Sequence, residues 1–145
     1  ALHRSLYRVG PADRPVGLLM LDLDHFKRIN DLHGHAGGDR VLTATAAVLK
    51  AALRRADGIA RWGGEEFVVW LPGSDAAGAA TVAEKIRAEV ERSASALPGA
   101  DAPRVTVSIG VAELGVGESV PDALLRADRA LYAAKQAGRN RVVVG

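Results

Sequence analysis

Val16-Gly17-Leu18-Leu19-Met20-Leu21-Asp22-Leu23-Asp24 is an unbroken apolar run that closes abruptly on two acids. A strand buried on both faces reads as a continuous hydrophobic stretch and turns polar where it leaves its sheet, so this segment predicts a central strand with carboxylates at its C-terminal mouth. Working downstream, a short helix is expected from His25, followed by one over 38–54, where Val41, Leu42, Thr45, Val48, Leu49 and Ala52 recur at helical spacing. Residues 59–62 and 66–71 flank Gly63-Gly64, a pair suited to the positive φ angles of a tight hairpin turn. Pro72-Gly73-Ser74-Asp75 breaks that strand and caps a helix running to about Ser93, and 96–103 reads as a loop. Alternation of Val105, Val107, Ile109 and Val111 with Thr106, Ser108 and Gly110 predicts a half-buried strand. A last helix carries Val120, Leu124, Ala127, Leu131 and Ala134, Gly138 closes it, and 141–144 is a short final strand. With a further helix ahead of Val16, this order predicts an α/β (α+β) domain: a central mixed, largely antiparallel five-stranded sheet plus a β-hairpin, flanked by helices. The catalytic mouth is expected where the first strand meets the hairpin turn.

The 145 residues are 48% hydrophobic, enough for one domain with a sizeable core, and 1–145 reads as that single domain. The absence of cysteine excludes disulfides and thiolate metal sites and makes the cytoplasm the expected compartment. No apolar run approaches the roughly 18 residues that span a bilayer, so no membrane contact is expected. Lys and Arg outnumber Asp and Glu by only 19 to 17 and are scattered, and six aromatic residues offer few stacking platforms; DNA and RNA are not expected partners.

Asp22 and Asp24 at a strand end, with Glu65 and Glu66 just after a glycine turn, supply four carboxylates from two parts of the chain. Hard oxygen ligands of this kind suit Mg²⁺ or Mn²⁺, and two such ions can activate an attacking oxygen and stabilise a leaving one. A simpler reading has Asp24 capping the helix that starts at His25, and Glu65 and Glu66 solubilising a turn. Gly63 and Gly64 lack side chains, so phosphates could approach their backbone closely, although a structural hairpin needs glycine too. Phe26 and Ile29 share the buried side of a short helix, and packing is the expected role of Trp62 and Trp70. His33 and His35 are not read as ligands, because magnesium prefers oxygen.

Spacing separates these alternatives. Gly63-Gly64-Glu65-Glu66-Phe67 resembles the signature pentapeptide of the GGDEF family of diguanylate cyclases in its GGEEF form. Asp22 to Asp31 (DLDHFKRIND) is similar to the family's DxDxFKxxND segment, and Gly34 to Asp39 to its GHxxGD. Val107 to Val111 and Ala134 to Asn140 resemble two further family segments, so the likeness spans about Val16 to Val144 in five ordered motifs.

The resemblance implies a nucleotidyl-cyclase, ferredoxin-like palm fold and an enzyme that condenses two GTP into cyclic di-GMP, with two divalent metal ions per site. It implies that Asp22 and the backbone carbonyl of Leu23 hold metal together with Glu65 and Glu66. Glu65 becomes the candidate for taking the proton of the attacking 3′-hydroxyl. Asn30 and Asp39 would read the guanine edge beside Phe26, with Gly63 and Gly64 under the phosphates. Lys27, Lys135 and Arg139 would neutralise the triphosphate, although Lys135 and Arg139, one turn apart near a helix end, also suit the helix dipole. Arg54 and Asp57, in an RxxD at the family's fixed offset before Gly63, resemble the site where product inhibits. Lys85 stands where some relatives place an arginine that contacts product from a neighbouring domain. Because the 3′-hydroxyl of one GTP must meet the α-phosphate of another, a homodimer is the expected active unit. Family members usually begin with a DxLTGLxNR-type turn that this stretch lacks, so a longer signalling protein with sensory or dimerising segments upstream is expected. Two rivals stand beside this reading: a non-catalytic cyclic di-GMP receptor using the RxxD site, and another nucleotidyl cyclase or polymerase-palm relative.

Overall fold

The computed structural model describes residues 14–93 and 105–145. Its elements are β1 (Val16–Leu23), α1 (Phe26–Ala52), β2 (Gly58–Arg61), β3 (Glu66–Pro72), α2 (Ala76–Ser93), β4 (Val107–Glu113), α3 (Val120–Gln136) and β5 (Val142–Val144). The helix expected before Val16 and the 96–103 loop lie outside the described residues.

The strands form one mixed sheet in the order β2-β3-β1-β4-β5, antiparallel except for β4 against β5. The hairpin supplies two of the five strands rather than standing beside them. β1 is the middle strand and all eight of its residues are buried, as its continuous apolar run demands. Its odd-numbered leucines, Leu19, Leu21 and Leu23, pack under α1 and α2, while Val16, Leu18 and Met20 face α3. This alternation sends the side chain of Asp22 to the α3 face.

β4 departs from the expected half-buried pattern, since Val107 to Ala112 are buried throughout. The reason is Gly110: a Cβ there would stand 2.0 Å from the Ala127 carbonyl oxygen and 2.3 Å from the Leu131 nitrogen, so α3 lies directly on its backbone. Small residues on this strand seat a helix where side chains would otherwise meet solvent.

The two helices expected after β1 form one run whose helical dihedrals break at Gly34, with φ 73° and ψ 174°. Asp24 does not cap it; the cap position belongs to His25, in a left-handed conformation with no side-chain cap bond. At α2 the expected cap is present, with Asp75 Oδ1 accepting from Gly78 N at 2.8 Å. α3 ends in a Schellman arrangement: Arg139 N donates to Ala134 O at 3.0 Å, Gly138 N to Lys135 O at 3.3 Å, and Gly138 has φ 123°. Arg139 therefore lies beyond the helix, not one turn along it from Lys135. No helix among the described residues is long and apolar enough to cross a membrane.

Candidate active site

Antiparallel pairing of β1 with β3 sets Asp22 directly opposite Glu66, and Leu23 N donates to Glu65 O at 3.2 Å. Cross-strand partners project from the same face, so the acids of the opening strand and those of the hairpin meet at one edge. Asp22 is buried. One carboxylate oxygen, Oδ2, accepts from the Lys135 ammonium, while Oδ1 is buried without a hydrogen-bond partner among the described residues. Burial raises the Asp22 carboxyl above its ordinary range; Lys135 offsets part of this, and the charges of Glu65 and Asp24 add to it. Glu66 is raised in the same sense, by burial first and then by Asp22 and Asp128. An orphaned carboxylate oxygen among mutually repelling acids is a position where a cation would be stabilised. Asp22, Glu65 and Glu66, with the Leu23 carbonyl, therefore fit a hard divalent ion in ligand chemistry. Among the described residues no three acidic or histidine side chains close on a common point, so phosphate or water oxygens must complete any shell.

Gly63 and Gly64 do not adopt the positive φ expected of them. The turn is instead held by Trp62 N donating to Glu66 O at 2.8 Å and by Arg61, whose Nε and Nη2 donate to Gly64 O at 3.1 and 2.6 Å. A Cβ on Gly64 would meet nothing within 4 Å, and on Gly63 nothing nearer than 3.7 Å. Trp70 packs in the core, and Trp62, at the turn, is 43% exposed.

On the opposite face of the hairpin a cleft of about 370 Å³ is lined by Asp39, Leu42, Thr43, Ala46, Arg61 and Phe67. Asn30 reaches this region because Gly38 has no side chain: a Cβ there would stand 1.9 Å from Asn30 Oδ1 and 3.1 Å from Phe26 Cζ. The break at Gly34 folds the two halves of α1 together and so brings the Asn30 amide against Gly38, the residue before Asp39. Phe26 is half-buried against the main core, consistent with packing as well as with lining. Lys27 and Arg139 are exposed, the latter with φ 65°.

A model of the family described as diguanylate cyclase, GGDEF domain, matches residues 1–141. The chain belongs to the GGDEF family. It is 46% identical over 147 residues to diguanylate cyclase A of Treponema denticola, and 50% identical over 127 residues to diguanylate cyclase DgcM of Escherichia coli K12. These alignments cover 99% and 87% of this chain but only 39% and 30% of the relatives, so the chain spans well under half of their length. Among solved structures, the GGDEF domain of DgcB from Caulobacter crescentus in complex with c-di-GMP is similar at TM-score 0.88 and 38% identity, covering 97% of this chain and 84% of that one.

Within this GGDEF domain the RxxD pair is tightly joined. Arg54 N and Nε donate to Asp57 Oδ2 at 2.7 and 3.2 Å, and Arg54 Nη2 donates to Asp57 Oδ1 at 2.8 Å and to Pro72 O at 2.9 Å. The Asp57 side chain is buried beneath a guanidinium that stays 61% exposed. Lys85 is exposed on α2, and among the described residues Asp57 pairs with Arg54 and not with Lys85. Three roles at the site escape a reading by motif. Asp128 presses on Glu66 from α3, two turns before Lys135 on the same face, a spacing visible in the sequence. Arg61 braces the glycine turn from the residue opposite Phe67, which only the strand register reveals. Asp24 accepts bonds from segments more than 80 residues away, which no local pattern signals.

Proposed function

We propose that this domain is the catalytic unit of a diguanylate cyclase that condenses two GTP into cyclic di-GMP with release of two pyrophosphates. The observation carrying this reading is that Asp22 stands opposite Glu66 and near Glu65 at one sheet edge and keeps a buried, unpartnered oxygen while its other oxygen meets Lys135. Guanine would lie in the cleft beside Asn30 and Asp39, whose amide and carboxylate match its donors and acceptors and disfavour adenine. The triphosphate would cross the bare Gly63-Gly64 backbone to the acid edge, where Lys27, Lys135 and Arg139 neutralise it. Magnesium or manganese held by Asp22, Leu23 O, Glu65 and Glu66 would supply Lewis-acid stabilisation of the growing phosphoryl charge. Glu65 would take the proton of the 3′-hydroxyl that attacks the α-phosphate of the second GTP. Two domains must face one another for that attack, so the active unit is a homodimer. Arg54 and Asp57 form the inhibitory product site; the preformed pair, with its guanidinium face open, and the product complex of the similar DgcB domain support this.

The test is a magnesium-dependent GTP assay on a dimerised form of the protein, with ATP as competitor and Glu65→Gln as control. Cyclic di-GMP and pyrophosphate from GTP alone, abolished in the variant, support the reading. Binding of cyclic di-GMP without turnover makes the domain a receptor, and equal use of ATP removes Asn30 and Asp39 from base selection.

A further inference from the structure

Asp24 is 3% exposed, and no cation pairs with it among the described residues. Its Oδ1 accepts from Ser108 Oγ at 2.7 Å; its Oδ2 accepts from Thr106 Oγ1 at 2.8 Å and from the backbone N of Asn140 at 3.0 Å. A buried carboxylate satisfied only by neutral donors is costly, and a site that needed packing alone would be filled more cheaply by an apolar side chain. The three donors come from β4, from the residue entering it and from the turn after α3. Asp24 N also donates to Thr106 O at 2.9 Å, which fixes the carboxylate at the end of β1.

The turn it holds is itself strained. Arg139 and Asn140 are consecutive residues with left-handed φ, 65° and 45°, a conformation uncommon outside glycine, more so for arginine than for asparagine, and a consecutive pair persists only when its surroundings over-determine it. Those surroundings are Asp24 on the backbone side and α2 on the side-chain side. Asn140 Oδ1 accepts from Arg87 Nη1 at 2.9 Å and its Nδ2 donates to Glu91 Oε2 at 2.6 Å, while Arg87 is anchored by Glu84. The strained turn follows directly on the helix end that carries Lys135, whose ammonium meets Asp22 two residues before Asp24.

We propose that Asp24 and Asn140 are positioning residues, which clamp the Gly138–Asn140 turn between the end of β1 and α2 and so fix the Lys135 and Arg139 cations over the acid edge. The proposal rests on the reading that these cations receive the triphosphate. Phosphate binding then depends on the clamp, whereas base binding, which uses the α1 cleft, does not.

Asn140→Gly tests this with the fold retained, because glycine tolerates the left-handed φ, keeps the N–H donated to Asp24 and loses only the bonds to Arg87 and Glu91. Asp24→Asn serves as the conservative rescue: its amide can donate to Ser108 Oγ while its oxygen still accepts from Thr106 and Asn140. GTP and guanosine affinities are measured by calorimetry with Ca²⁺ present, alongside denaturation midpoints. The expected result for Asn140→Gly is GTP binding weakened about tenfold or more, as for loss of a charge-assisted contact, with guanosine binding unmoved. Asp24→Asn should stay within about threefold of the parent for both ligands. GTP affinity unchanged in Asn140→Gly, or GTP and guanosine weakened in parallel, would overturn the positioning role. If the unsubstituted protein binds guanosine no worse than GTP, the triphosphate reading itself fails, a different outcome from failure of the clamp.

Discussion

Gly64→Ala separates what the fold needs from what a ligand needs. In the folded protein nothing requires glycine there: its φ is not left-handed, and an added Cβ would meet no atom within 4 Å. The carbonyl that Arg61 holds belongs to the backbone and survives the change. Replacing glycine by alanine at a compatible φ narrows the unfolded ensemble and stabilises a protein by about 0.4–1 kcal/mol. The variant should therefore be as stable as the parent or slightly more so, by urea denaturation followed with tryptophan fluorescence. If phosphates cross this backbone, however, the methyl group occupies their path, and a displacement on the order of 1 Å at a reacting group costs about a hundredfold in rate. Magnesium-dependent GTP turnover should fall by about that factor. Full activity in a folded Gly64→Ala protein would refute passage of the phosphates over the turn. Loss of stability beyond about 1 kcal/mol would mean that the glycine is structural after all.

Gly110→Ala should do the reverse: its Cβ would stand 2.0 Å from helix backbone that cannot swing aside, so α3 must retreat and stability should drop by about 1–3 kcal/mol or more, read from the denaturation midpoint. The raised carboxyls of Asp22 and Glu66 hold protons more tightly in the folded state, so their contribution is full below their ordinary values of 3.8 and 4.5 and is lost as pH rises through the higher folded ones. Glu66→Gln should accordingly raise the melting temperature of the ligand-free protein at pH 7 but not at pH 4; an equal effect at both would discount the repulsion. Arg54→Ala should raise the cyclic di-GMP concentration for half-inhibition at least tenfold in initial-rate assays, and unaltered inhibition would place the brake elsewhere.

Much of the fold was legible because β1 announces itself. A run apolar in both parities can only be a doubly covered strand or a buried helix segment, and the acids closing it mark a sheet edge. Helix stripes and caps followed from local pattern, as at Asp75 and Gly138. What failed did so where tertiary contact overrode the pattern. Ser108 and Gly110 look solvent-facing by alternation, yet α3 covers them because glycine admits its backbone. Asp24 has the position of a helix cap and instead serves partners 82, 84 and 116 residues away, which no window of sequence contains. Gly63 and Gly64 looked like turn formers, and their dihedrals assign the requirement for glycine to something other than the turn.

The site carries an electrostatic debt that links its stability to its chemistry. Asp22, Glu65, Glu66 and Asp128 repel one another at the edge of β1, and Lys135 alone forms an ion pair with any of them among the described residues. Lys135 engages one oxygen of Asp22 and leaves the other unpartnered. The ligand-free domain thus stays folded with a partial counter-ion while remaining short of positive charge. Replacing Lys135 with a neutral side chain would deepen that shortage in the free protein and, under the proposed function, would also remove a cation that receives the triphosphate. The clamp through Asp24 and Asn140 makes sense in this light, since a cation that balances buried acids and, under the proposed function, also meets phosphates has to be held in place in both states.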